Sequence, residues 1–316
     1  DATFAPGKIE AQVKLEDLSF EFFKLFTDAN IPDGQLKANV DFRPGSSGPQ
    51  GTFTVQSRVS ATQDVSGVVA AASTAGGQVF EALLEGNLSP TPSAPSVQGS
   101  GVRRLPGIVW LEGSGTLGSY GVLPQARQGQ LSFQLPLRPG SSGIPLPESS
   151  APMEARLHWN GEIAPLWQAI PVSDRHLTGQ ALIDLNVSGS MNSPKLLVEA
   201  YMANGHFQDI TNGILINGIT LEARNTAQGD VRALIAANDS LSGNLAVEAN
   251  LTGVSGKATD RPELTLRGQL DRFSPSHRDD LRMALSGIFG LNGPLSALKV
   301  TSDLIVNEGE LNIAGN

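Results

Sequence analysis

Along most of this chain apolar and polar residues alternate one by one. Ile9, Ala11, Val13 and Leu15 are interleaved with Lys8, Glu10, Gln12 and Lys14, the period of a β-strand with one oily and one wet face. The pattern returns in Leu36 to Phe42, in Leu131, Phe133, Leu135 and Leu137, and in Met153, Ala155, Leu157 and Trp159. It returns again in Leu245, Val247, Ala249 and Leu251, and in Leu264 and Leu266 against Thr265 and Arg267. Asn-Gly pairs at Asn160-Gly161, Asn204-Gly205, Asn212-Gly213, Asn217-Gly218 and Asn292-Gly293 supply the positive φ angles of tight hairpins. The spacing therefore predicts a long, mostly antiparallel meander.

Two stretches follow a helical period instead. Leu18, Phe22, Leu25 and Phe26 share one side of a helix over 17–27, and Ile163, Trp167 and Ile170 do so over 162–170. Each precedes a long strand, and a helix that caps one unit's core is the expected role. Docking on a membrane surface is the weaker alternative, since Asp17 and Glu21 are acidic.

The chain also resembles itself. At an offset of 145, Gly34, Gln35 and Pro49 fall on Gly179, Gln180 and Pro194; at 104, Leu177, Gly189, Lys195 and Gly205 fall on Leu281, Gly293, Lys299 and Gly309. Such repeats mark elongated arrays whose units bury apolar faces against neighbours. The expected division is a first repeat over 1–90, Pro/Gly/Ser-rich loops with continuing strands over 91–152, a second repeat over 153–260 and a third, truncated repeat over 261–316, all in one elongated body. Segments Ser89 to Gly107 and Arg138 to Pro152 are expected as loops around strands near Ile108 to Leu117 and Gly129 to Leu137.

Composition removes several functions. A net charge of −9 over 316 residues disfavours nucleic acid, which needs clustered Lys and Arg. The absence of cysteine excludes disulfides and thiolate chemistry. His158, His176, His206 and His277 share no ligand spacing, so no metal is expected. Gly113-Ser114-Gly115-Thr116-Leu117-Gly118 matches a dinucleotide fingerprint in letters, but no helix follows to hold a pyrophosphate. Asp279 and Asp280 with Arg278 cannot converge on one bond from adjacent strand positions. No enzyme motif and no cofactor are expected. No run of 18 apolar residues spans a membrane. The chain opens Asp1-Ala2-Thr3-Phe4 and is read as a piece of something longer, with any anchor outside it.

The apolar face remains. Roughly ten strands with about four aliphatic side chains each exceed the few hundred Å² that a monomer leaves uncovered. A second sheet, closure into a barrel, or an open trough filled by an apolar ligand would each cover it.

Three runs carry a resemblance: Leu166 to Gly179 (LWQAIPVSDRHLTG), Leu182 to Pro194 (LIDLNVSGSMNSP) and Ala203 to Ile216 (ANGHFQDITNGILI). With Arg278 to Leu295 and Val306 to Ile313, they resemble the TamB family of bacterial envelope proteins, relatives of AsmA-like and bridge-like lipid transfer proteins. Leu298 departs from the cadence, where the repeat has Pro194. The resemblance implies an all-β sheet curved into a taco-like open trough with an apolar interior. It also implies a periplasmic segment of an inner-membrane-anchored protein, phospholipid acyl chains in the groove, and an Omp85-type outer-membrane partner met through a region absent here. The function implied is a lipid conduit that also supports outer-membrane protein assembly. The wall expected of that conduit comprises Leu36, Val40, Phe42, Phe53, Val55, Leu131, Phe133, Leu157, Ile183, Leu185, Val187, Leu196, Val198, Leu245, Val247, Leu264, Leu266, Leu285, Val300 and Leu304. A scaffold that offers its sheet to outer-membrane strands by β-augmentation and a closed structural stalk are the alternatives.

Overall fold

A computed structural model describes residues 2–5, 8–19, 34–45, 48–60, 79–90, 108–119, 128–139, 145–168, 175–239, 243–257, 261–276 and 281–311. These residues form seventeen strands and one five-residue helix, so the fold is all-β, as the alternation predicts. Two compact units divide the chain, Asp1–Leu157 and His158–Asn316.

In the first unit, β1 (Ala2–Ala5), β2 (Lys8–Ser19), β3 (Gly34–Gly45), β4 (Gly48–Ser60), β5 (Val79–Ser89), β6 (Val109–Ser119) and β7 (Gly129–Pro139) pair antiparallel in chain order. The short β8 (Pro145–Pro147) pairs with the end of β7, a strand where only loop was expected. Prolines suit such a position, having no N–H to offer a further ladder. The helix expected over 17–27 begins on strand, since β2 runs through Asp17 to Ser19; the alternation outlasts the competing 3.6 period there. Residues 20–27 lie outside the described residues.

In the second unit, β9 (Met153–Glu162), which starts before the division, leads into α1 (Ala164–Gln168). The helix stands inside the predicted segment 162–170. Its Trp167 donates from Nε1 to the Arg175 carbonyl (2.8 Å) and meets Phe207 edge-on. There follow β10 (Arg175–Ser190), β11 (Ser193–Asp209), β12 (Ile214–Asn225), β13 (Val231–Asn238), β14 (Asn244–Thr252), β15 (Glu263–Phe273), β16 (Leu281–Pro294) and β17 (Lys299–Leu311), each antiparallel to the next.

The self-similarity is one of hairpin register. Leu36 faces Ser57 in β3–β4, and Ala181 faces Met202 in β10–β11 at the 145 offset. Leu177 faces Phe207, and Leu281 faces Leu311 in β16–β17 at the 104 offset.

The Asn-Gly pairs behave differently from expectation. Of the five, Asn212-Gly213 lies in the hairpin turn between β11 and β12, where Gly213 has φ +63°. Asn204-Gly205 and Asn217-Gly218 lie inside β11 and β12, at register shifts. There the positive φ of Asn204 (+53°) and Gly218 (+56°) serves β-bulges. Asn160-Gly161 belongs to β9 and Asn292-Gly293 to β16. An Asn-Gly pair reports positive φ, and a bulge uses it as readily as a turn does.

Two short hairpin ends leave notches that later connections fill. Beyond the β12–β13 turn, Leu196 N–H donates to the Val254 carbonyl (2.9 Å). Asn225 fixes that corner, accepting from Val198 N–H and donating to the Leu196 and Gly229 carbonyls. Beyond the β13–β14 turn, Leu215 N–H donates to the Pro275 carbonyl (2.9 Å). The buried Asp239 carboxylate accepts from Gly243 N–H (2.8 Å) and Ser274 N–H (2.6 Å), so backbone groups left by the short hairpin are paired.

Asp209 plays a related part at the β11–β12 turn. It accepts from the Asn212 N–H (2.9 Å) and side-chain amide (3.0 Å) and from Arg175 Nε (3.2 Å). The Asn212 bonds, followed by Arg175, hold its carboxyl below the ordinary aspartate value of 3.8. A lowered folded value means stabilisation that is complete above 3.8 and lost as pH falls through the folded value. In an acid titration followed by amide NMR, the Asn212 and Gly213 signals are expected to shift with a midpoint below pH 3.8. Asp209→Asn should remove that transition; an unchanged titration in the variant would contradict the assignment.

Candidate functional site

Directly paired residues of neighbouring strands point to the same side of a sheet, so register sorts the two faces. In the first unit, Val40 pairs with Phe53, Phe53 with Gly86, Gly86 with Gly113 and Gly113 with Phe133. Leu36, Phe42, Val55 and Leu131 occupy the same face two or four residues along their strands. Leu157 alternates along β9 with His158, whose Nδ1 lies 2.6 Å from Asp184 Oδ1.

In the second unit, one row crosses the whole sheet: Ile183, Ala200, Ala223, Ala233, Ala249, Leu266, Leu291 and Val300. Leu185 pairs with Val198 and Val187 with Leu196, and Leu245, Val247 and Leu264 stand on the same side. Leu285 pairs with Val306, and Leu304 with Gly287. Every expected wall residue of this unit thus falls on one aliphatic face.

Four positions in the middle of that row are alanines, and the expected wall includes none of them. Rows of larger residues flank them: Leu221, Ile235 and Val247 on one side, Val231, Leu251 and Leu264 on the other. The result is a low lane running across the strands between two aliphatic rails. Each alanine is an unremarkable strand residue in sequence; only register aligns them.

The large aliphatics of this face stay partly open. Ile183, Leu185, Val187, Leu196, Val198, Leu245, Val247, Leu264, Leu266 and Leu285 are half-buried. Val300 is 74% exposed and Leu304 41%. In the first unit Phe53 is buried, and Leu36, Val40, Phe42, Val55, Leu131 and Phe133 are half-buried. The inner faces of a sandwich bury such residues against a second sheet. Here the strands of each unit contact chiefly their sheet neighbours.

Two glycines shape the aliphatic face of the first unit. The Phe53 and Phe133 rings stack with centroids 6.5 Å apart, lying over Gly86 and Gly113. A Cβ at Gly86 would stand 2.0 Å from the Glu112 carbonyl oxygen and 2.5 Å from the Phe53 ring; one at Gly113 would meet the Phe133 ring at 2.6 Å. The run Gly113 to Gly118 is therefore part of a strand that carries phenyl rings. Gly86→Val is expected to cost about 1–3 kcal/mol through overpacking, read as a lowered urea midpoint. An unchanged midpoint would mean the rings do not rest there.

The opposite face of the second unit carries a distinct feature, a groove of about 1280 Å³. Its lining takes three consecutive residues from each strand β10 to β17. The outer two of each triplet point to this face, and the central one supplies a backbone floor. One rail includes Leu182, Tyr201, Glu222, Leu234, Glu248 and Arg267; the other includes Gln180, Ala236, Ala246, Gln269, Ile288 and Asp303. Arg232 Nε donates to Glu248 (2.8 Å), and with Asn250 it holds that carboxyl below the usual range. Tyr201 OH donates to Glu199 (3.2 Å), whose carboxylate raises the phenol above its usual value.

Among the described residues no group of three or more His, Asp or Glu could hold a metal ion, and no helix is long and apolar enough to cross a membrane. His277, Arg278, Asp279 and Asp280 lie outside the described residues. Comparison with protein-family profiles, with curated proteins and with solved structures finds no match to this chain.

Proposed function

We propose that the aliphatic face carries phospholipid acyl chains, and that the chain is a segment of a conduit between the inner and outer membranes of a Gram-negative-type envelope. The observation that supports this most is the aliphatic face of the second unit, whose large side chains from Ile183 to Leu285 are half-buried and which the alanine lane crosses. A straight acyl chain along Ala200, Ala223, Ala233 and Ala249 would remove from water both itself and the flanking Leu and Val side chains, at about 25 cal/mol per Å². No bond is made or broken, so no catalytic group or cofactor enters. Head groups would stay at the wet edge, where charged side chains are solvated. In this reading the segment is periplasmic and supports outer-membrane protein assembly. The partner this reading implies is an Omp85-type outer-membrane protein.

The test is mass spectrometry of organic extracts of the purified chain after a mild-detergent wash, beside an unrelated β-sandwich protein. Phospholipid near stoichiometric levels is expected in this chain and not in the control. A folded, soluble and lipid-free chain would overturn the proposal and favour a scaffold or a closed stalk.

A further inference from the structure

We propose that the groove on the opposite, mixed face of the second unit binds an extended polypeptide segment carrying a basic residue. This site stands apart from the aliphatic face and does not rest on the lipid reading.

Size excludes most other occupants. The rails are two residues apart along each strand, about 6.6–6.8 Å, too narrow for a helix of about 10–12 Å diameter. The lined strands β10 to β17 span seven inter-strand steps of about 4.8 Å, roughly 34 Å. A volume of about 1280 Å³ over that length leaves a cross-section of about 40 Å², against about 80–110 Å² for a helix. An extended chain of about ten residues at 3.3 Å each matches the length.

The chemistry of the rails selects a peptide over a hydrocarbon. An acyl chain would leave Glu222, Gln269 and Asp303 without polar contact on one side, which costs free energy. A polypeptide offers N–H and C=O groups to Gln180, Thr220, Gln269 and Thr301, while its apolar side chains meet Tyr201, Leu234 and Ile288. Those three are 39%, 39% and 61% exposed on a face that also carries Glu222, Glu248, Gln269 and Asp303, the mark of a contact surface. Charge sets the preference for a basic residue. Glu222, Glu248 and Asp303 line the groove against one cation, Arg267. Glu222 is paired with Arg224 and Glu248 with Arg232, whereas Asp303 makes no ion pair among the described residues and is open to a Lys or Arg of the ligand.

The experiment is fluorescence anisotropy with the whole chain and a fluorescein-labelled peptide of about ten residues, built from Lys, Val, Ser and one Pro that keeps it from pairing with itself. Saturable binding is expected. It should weaken at least about tenfold in Ala246→Trp, which fills the groove between the rails, and about threefold or more in Asp303→Lys; Leu185→Asp, on the other face, should bind as the parent does. Asp303 is exposed, so Asp303→Lys decides the matter if Ala246→Trp does not fold. Absence of binding by the folded parent chain, equal binding by both groove variants, or displacement of the peptide by laurate or maltohexaose would overturn the proposal. The extraction of phospholipid is read separately, so either proposal can fail alone.

Discussion

Leu185→Asp is expected to remove bound phospholipid from the purified chain, by at least about tenfold, while the β-sheet signature in circular dichroism stays at parent level. Leu185 is half-buried on the aliphatic face, opposite Val198 and between Ile183 and Val187 on its own strand. A carboxylate there is flanked by Val198, Ile183 and Val187, and an acyl chain laid across it would strip its water with no compensating partner among them. Tenfold corresponds to about 1.4 kcal/mol, well within the cost of desolvating one charge. Fold retention follows from position: the side chain is not fully buried, and the backbone ladder of β10 with β11 uses none of its atoms. The comparison is Asp184, whose carboxylate already sits on the other face beside His158 at 2.6 Å. Asp184→Leu should therefore leave lipid content unchanged. Parent-level phospholipid in a folded Leu185→Asp chain would exclude the aliphatic face as the acyl site.

Trp110→Ala is expected to be the most damaging single truncation in the first unit, with a loss of about 3–5 kcal/mol. Trp110 is 2% exposed and packs with Ile108 and Ala151, which are 6% and 3% exposed. Pro136, its register partner on β7, is also fully buried. The cover comes from residues 145–151: β8 pairs with the end of β7, and Glu148 N–H donates to the Pro136 carbonyl (2.9 Å). Arg138 pairs with Glu148 at 2.8 Å, and Ser150 donates to the same carboxylate from its hydroxyl (2.7 Å), which pins the segment over the indole. Removing the ring leaves a cavity that this pinned cover cannot collapse into. Urea denaturation followed by far-UV circular dichroism is the measurement, with a midpoint drop on the order of 2 M. Trp110→Phe should recover most of it; a loss below about 1 kcal/mol for the alanine variant would mean that the cover is loose.

The strands and their two faces were legible because a period of two is local. Val40, Phe53, Ile183 and Val247 could be assigned to the aliphatic side from their immediate neighbours, and register places each where alternation predicts. Trp110 could not. By alternation it belongs with Glu112 on the wet face, and it does lie there, but a distant Pro-rich segment returns to bury it. The Asn-Gly pairs were legible as sites of positive φ and illegible as turns or bulges, since the two uses differ only in what the facing strand does.

Strand class, the sides of the strands and the hairpin repeat can be read from the residues in order, because each depends on residues within one strand or on matched spacings. Tertiary structure alone decided which residues stand in line across strands. Ala200, Ala223, Ala233 and Ala249 become a lane, and Tyr201, Leu234 and Ile288 come to line one groove, only once register is set. Register is a non-local property: a shift of two residues keeps every side chain on its face yet breaks both alignments. Hairpin turns, bulges and filled notches fix it, and their partners lie far apart in the chain.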